Sequence, residues 1–163
     1  MDERLRQQVN EQLLESPVGK DHEHRAGIYL YKGAGKIMIS QVGQIMLYVN
    51  NQDEAVNFWT EKLGFTVISE EDNGQGMRWI EIAPSKGAQT SIVLHNKEMV
   101  AKMQPGLNLG TPSLMFFTEN LDQLYSDLSN KQVKVGKIVN MPSGRVFNFA
   151  DDEENYFAVM EKK

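Results

Sequence analysis

Three histidines, no cysteine and a scatter of carboxylates are what this 163-residue chain has available for chemistry. Without cysteine there is no disulfide, no thiolate metal site and no thiol nucleophile. His22 and His24, in Asp21-His22-Glu23-His24, have a spacing that can pick up nickel or zinc adventitiously. His95 reads as a surface or strand-end histidine. One histidine in the body of the chain leaves a Ser-His-acid set little to build on. Glu81 is a candidate for acid–base work, with nothing in the sequence to mark its pKa as tuned. Gly33-Ala34-Gly35-Lys36 lacks the full spacing, the Ser or Thr and the flanking elements of a phosphate loop. Trp79, Arg78 and Arg145 remain. Trp79 can stack on an aromatic ligand, and either arginine can meet an anionic group through its planar fork; the structural alternatives are a core tryptophan and strand-end charges.

Composition supplies a scaffold for these groups. Hydrophobic residues make up 40% of the chain and charged residues 24%, close to the globular average of about 25%. The length fits one domain, alone or with a tail. The balance of 17 Lys+Arg against 22 Asp+Glu leaves a formal charge of −5, which disfavours nucleic-acid binding, since phosphate contacts need clustered cations. No apolar run reaches the ~18 residues of a membrane-spanning helix and no secretion signal opens the chain, so a cytoplasmic protein without membrane association is expected.

The chain divides near residue 38. Residues 1–37 read as an N-terminal extension, a native tail or a leader, with a short amphipathic helix over 3–15 and an apolar island at Ile28–Tyr31. Residues 38–163 read as the domain. Its apolar run at 42–49 predicts a strand, and Asp53 is placed to cap a helix carrying Ala55, Val56, Phe58, Trp59 and Leu63 inward. Gly64 is placed to close that helix. Strands follow at about 65–71, 77–83 and 89–95, then a loop over 96–111. The same order then returns: a strand at 112–118, a helix at 120–129, and strands near 133–139, 144–150 and 155–160. Setting Gln44 on Ser113 also sets Asp53 on Asp122, so the body is two βαβββ modules, about 42–96 and 112–161, offset by 69 residues.

The stretch from Ile45 to Val49, then Asp53 to Trp59, then Leu63-Gly64-Phe65 resembles the opening strand, helix and turn of the vicinal oxygen chelate superfamily. That superfamily comprises the glyoxalases, bleomycin-resistance proteins and extradiol dioxygenases. Gly76 to Pro84 is similar to one bacterial glyoxalase-like subgroup, and Gly144-Arg145 followed by Phe147, Phe149 and Asp151 resembles the family's final hairpin. Met141-Pro142-Ser143 and Asp151 to Asn155 depart from the subgroup's pattern. The resemblance implies an α+β fold of two βαβββ modules forming a cup-shaped mixed sheet, commonly in a dimer. It also implies four metal-ligand positions on the first and last strands of each module, which fall on Gln44, Ile92, Ser113 and Ala158. One usable ligand out of four does not hold a divalent ion tightly, so neither a metal nor another cofactor is expected.

With Gln44 and Ser113 inward, alternation puts Met46, Tyr48, Met115 and Phe117 on the cup face, joined by Ile92, Leu94, Tyr156, Ala158 and Met160. That lining suits a flat or flexible organic ligand held by burial and stacking, with Trp79 and Arg145 as further contacts. The leading expectation is therefore a glyoxalase/bleomycin-resistance-like protein that binds a small organic molecule in an apolar cup without metal. The alternatives are a metal-dependent lyase of the lactoylglutathione type or a dioxygenase, and a non-catalytic interaction module. Edge strands left unpaired after each module favour a homodimer.

Overall fold

The computed structural model describes residues 39–162, and contacts within the chain gather Ser40–Lys163 into one compact unit. The expected helix over 3–15, the apolar island, His22, His24 and Gly33–Lys36 lie outside the described residues.

Each module builds its own four-stranded mixed sheet. In the first, β1 (Gln44–Val49) leads into α1 (Gln52–Asn57), then β2 (Thr66–Asp72), β3 (Arg78–Ala83) and β4 (Ser91–Asn96), in the order β1-β4-β3-β2. After α2 (Lys97–Met103), the second module runs β5 (Met115–Thr118), α3 (Leu121–Asn130), β6 (Val139–Met141), β7 (Gly144–Ala150) and β8 (Tyr156–Glu161), in the order β5-β8-β7-β6. First and last strands pair parallel in both modules, and the remaining pairs are antiparallel. The repeat read from the sequence is therefore a repeat of topology. No helix among the described residues is long and apolar enough to cross a membrane.

Local chemistry sets the element ends. Asn51, not Asp53, caps α1, its side-chain oxygen accepting from the backbone N–H groups of Asp53 and Glu54. Asn120, its equivalent in the repeat, caps α3 through Gln123 N–H. Beyond Asn57 the first helix widens into a π-helical turn, Phe58–Lys62, that buries both Phe58 and Trp59. Gly64 follows at φ 73°, a left-handed conformation that suits a residue without Cβ. Two more expectations give way. The segment read as a loop contains α2, capped by Asn96 and braced by a 2.6 Å Glu98–Lys102 ion pair. The strand expected near 133–139 shrinks to β6 and a bridge between Val135 and Phe149.

The helix sides of both sheets share one core. Leu47, Val49, Ile80, Ile82, Ile92 and Leu94 from the first sheet join Phe147, Phe149, Phe157 and Val159 from the second, with Leu121 and Leu128 of α3. Trp59 sits among them at 0% exposure, its ring 5.0 Å from Phe65, 5.2 Å from Phe157, 5.8 Å from Phe116 and 6.3 Å from Phe149. Polar ties fix the two modules. Lys62 Nζ donates to the Lys131 carbonyl at 3.0 Å, and Lys131, 69 residues later, donates back to the Lys62 carbonyl at 3.1 Å. Glu153, in the β7–β8 turn, accepts from the N–H of Asn50 and Asn51 and from the Asn50 amide, holding the β1–α1 corner. Truncating Trp59 opens a cavity that rings from both modules line. Trp59→Ala is expected to cost about 3–5 kcal/mol in urea unfolding, and a loss under about 1 kcal/mol would mean that the modules do not depend on it.

Candidate functional site

Register decides which side chains share the face turned away from the core. In the first sheet Gln44 pairs with Ser91, Met46 with Val93 and Tyr48 with His95, while Trp79 pairs with His95 and Glu81 with Val93. Partnered residues in a sheet point to the same side, so these residues form one cup face. Gln44, Met46, Tyr48 and Trp79 lie where the sequence reading puts them. Ile92 does not. It pairs with Ile45 and Ile82, packs into the shared core at 3% exposure, and leaves its cup-face place to Ser91 and Val93. Leu94 is turned inward in the same way, and His95, read as a surface residue, stands on the cup face.

The second cup face holds Met115 beside Ala158 and Phe117 beside Met160, with Tyr156 beside Ala150 and Asn148 beside Ala158. Phe117 is 66% exposed and Tyr156 54% exposed. Ser113 is exposed just ahead of β5. Both cup faces thus lie outside the shared core; the second exposes Met115, Phe117 and Tyr156, whereas on the first Met46 is exposed and Tyr48, Trp79 and His95 are half-buried.

Two groups on the first face have chemistry. Glu81 stands mid-sheet between two serines: Ser91 Oγ donates to its Oε1 at 2.5 Å and Ser69 Oγ to its Oε2 at 3.2 Å. Hydrogen bonds from Ser91, Gln44 and Ser69 hold its carboxyl below the ordinary glutamate range, against a smaller opposing effect of burial. His95 is partly desolvated, which pushes its imidazole below the usual histidine value and keeps it neutral near pH 7. Its Nε2 lies 3.3 Å from Met46 Sδ, and its ring is 6.1 Å from that of Tyr48. The Tyr48–His95 end of the face opens into a shallow cleft of about 180 Å³, walled by Met77, Val100, Met103 and Leu107 from the β2–β3 turn, α2 and the loop after it. The sequence reading includes neither His95 nor this wall: the Ile92-Val93-Leu94 run obscures the sides of β4, and α2 lies in the segment read as a loop.

Arg145 is on the other side of its sheet. It grips Asp122 of α3 through Nη1 and Nη2 at 3.0 and 2.9 Å, and Glu161 through Nε and Nη2 at 2.9 and 2.7 Å. Those two carboxylates raise its pKa further above the ordinary arginine range. Arg78 repeats the arrangement in the first module, bonded to Asp53 of α1 and to Glu70 at 2.7 Å each. The sequence signal was present: Asp53 and Asp122 coincide in the repeat, and an arginine opens the third strand of each module. Both arginines fasten a helix to its sheet, and neither reaches a cup.

A sequence model of the glyoxalase/bleomycin resistance protein/dioxygenase superfamily matches residues 41–159. The chain belongs to that superfamily. An uncharacterized Bacillus subtilis (strain 168) protein, YetH, is 33% identical over 125 residues, covering 76% of this chain and all of its own length. TnmS3, described as an antibiotic binding protein from Streptomyces sp. CB03234, is 29% identical with a TM-score of 0.67, covering 78% of this chain and 100% of its own. A superfamily member from Sphaerobacter thermophilus DSM 20745 is 28% identical with a TM-score of 0.66, covering 77% and 100%. The superfamily's metal positions do not fit an ion here. With Ile92 in the core, register sets Ser91 beside Gln44 and Met115 beside Ala158, so the strands present an amide, a hydroxyl and a thioether where a divalent ion needs imidazole or carboxylate. Among the described residues, no group of three His, Asp or Glu side chains converges as a metal site.

Two outcomes follow for the side chains just placed. Glu81 has a folded pKa below its unfolded one, so it stabilises the fold above the ordinary carboxylate range and loses that contribution as pH falls through the lower folded value. Ser91→Ala removes the leading donor and should raise the Glu81 pKa in a carboxyl-carbon NMR titration; an unmoved titration would remove Ser91 from that role. Arg145→Ala should lower the urea midpoint modestly by loosening α3 from its sheet, and an unchanged midpoint would remove Arg145 from that role.

Proposed function

We propose that the protein binds a small, flat organic molecule against its cup faces, without a metal ion, and that two copies supply the facing walls. The observation that carries this reading is the exposed apolar surface of the second cup face. Phe117 and Tyr156 stand open beside Met115 on a sheet whose opposite side is already buried in the core. Exposed aromatic rings on a rigid sheet have few rotatable bonds to fix on binding, and adaptable thioethers fill gaps around them, which suits ligands recognised by stacking and burial. Likeness to an antibiotic binding protein over 78% of the chain supports a binding role. The poor donor set at the superfamily's metal positions supports a metal-free one.

In one chain the helix sides of both sheets are consumed by the shared core, so the cup faces do not close on each other through it. A second copy that lays its second sheet over the first sheet of its partner would cover both faces of each chain at once, as a symmetric homodimer does. The ligand would then lie between Trp79 and Tyr48 of one protomer and Phe117 and Tyr156 of the other.

Intrinsic fluorescence tests the binding. Trp59 is sealed in the core and Trp79 lies on the cup face, so a bound aromatic compound should quench Trp79 saturably, and Trp79→Phe should abolish the response. Phe117→Ala should weaken binding by about five-fold or more, the effect of losing an anchor worth over about 1 kcal/mol. A flat titration across a panel of aromatic compounds would contradict the reading.

A further inference from the structure

The two modules match in scaffold and differ on their cup floors. Pairing along the third strands sets Arg78 on Arg145, Ile80 on Phe147, Ile82 on Phe149 and Ala83 on Ala150. At the same alignment Glu81 falls on Asn148, so one floor carries a carboxylate where the other carries a neutral amide. The donors that hold Glu81 are all uncharged, two hydroxyls and an amide, and the basic residue nearest in its strand, Arg78, faces the helix side and is already paired with Asp53 and Glu70. The imidazole of His95, on the same face, is held neutral by burial and does not offset the charge. Glu71 pairs with Trp79 and adds a second carboxylate at the rim of this face.

From this asymmetry we infer that Glu81 selects the ligand's charge: the molecule carries an ammonium or amidinium group that meets Glu81, next to the Trp79 ring, with its flat apolar body extending away. The inference rests on the binding reading above and names the ligand class for that site. A partly desolvated carboxylate with hydroxyl donors on both oxygens keeps lone pairs for one more donor, and a charged donor makes the strongest bond. The aromatic face of Trp79, two residues away on the same side of β3, adds an attraction for cations that a neutral head group lacks.

Three probes with one ring and three head groups test it: naphthylmethylamine, naphthalenemethanol and naphthoate, titrated into the full chain by Trp79 fluorescence at neutral pH. The ammonium compound should bind about ten-fold tighter than the alcohol, corresponding to ~1.4 kcal/mol, and naphthoate should bind least. Glu81→Gln, which keeps shape and removes charge, should bring the amine-to-alcohol ratio down to about one. Wild-type protein that prefers the alcohol or naphthoate would overturn the inference and leave the binding reading standing, and so would an unchanged ratio in Glu81→Gln. Absence of binding for all three would overturn the binding reading and this inference with it.

Discussion

Trp59 reaches from the first module into ring contact with Phe116, Phe149 and Phe157 of the second, and the rest of the structure follows from where it sits. A ring of that size can be dry only if the helix sides of both sheets close over it. Once they do, the opposite sides of both sheets are turned outward. The core therefore produces the cup faces as a consequence: what the chain buries to fold determines what it leaves open to bind. The reciprocal Lys62 and Lys131 bonds mark the same near two-fold relation at the helix ends.

On that scaffold, charge is used for two different purposes. Arg78 and Arg145 are spent on fastening helices, each bonded to an aspartate of its module's preceding helix and to a strand glutamate. These pairs are partly exposed, so they add geometry more than stability. Glu81 is held by neutral hydrogen bonds instead, and its charge is left available on the open face. Within four positions of one strand, Arg78 is spent on a helix while Glu81 keeps a charge on the cup face.

The repeat, the succession of elements along the chain and the helix inside each module are legible because a pattern copied twice leaves a fixed offset that accident does not reproduce. β7 appears where the apolar alternation of GRVFNFA ends at polar turns. Faces were legible only where polar and apolar residues alternate. Gln44, Met46 and Tyr48 alternate with buried Leu47 and Val49, and their side was read correctly. β4 has Ile92, Val93 and Leu94 in succession, so only Ser91 and His95 mark its cup side, and a reading that follows the apolar run comes out one residue off. That slip put Ile92 in the cup and His95 outside it. α2 was hidden by its brevity and by the Pro105-Gly106 turn behind it, although the Asn96 cap and the Glu98–Lys102 spacing were its signature.

Native mass spectrometry of the full, untagged chain tests the central claim most directly, because one spectrum reads subunit count, bound metal and any retained small molecule. The account predicts a dimer without stoichiometric divalent ion, any extra mass being organic. A monomer at all concentrations would leave the cup faces without a second wall. A dimer carrying one divalent ion per chain would contradict the metal-free cup and restore metal chemistry to this site.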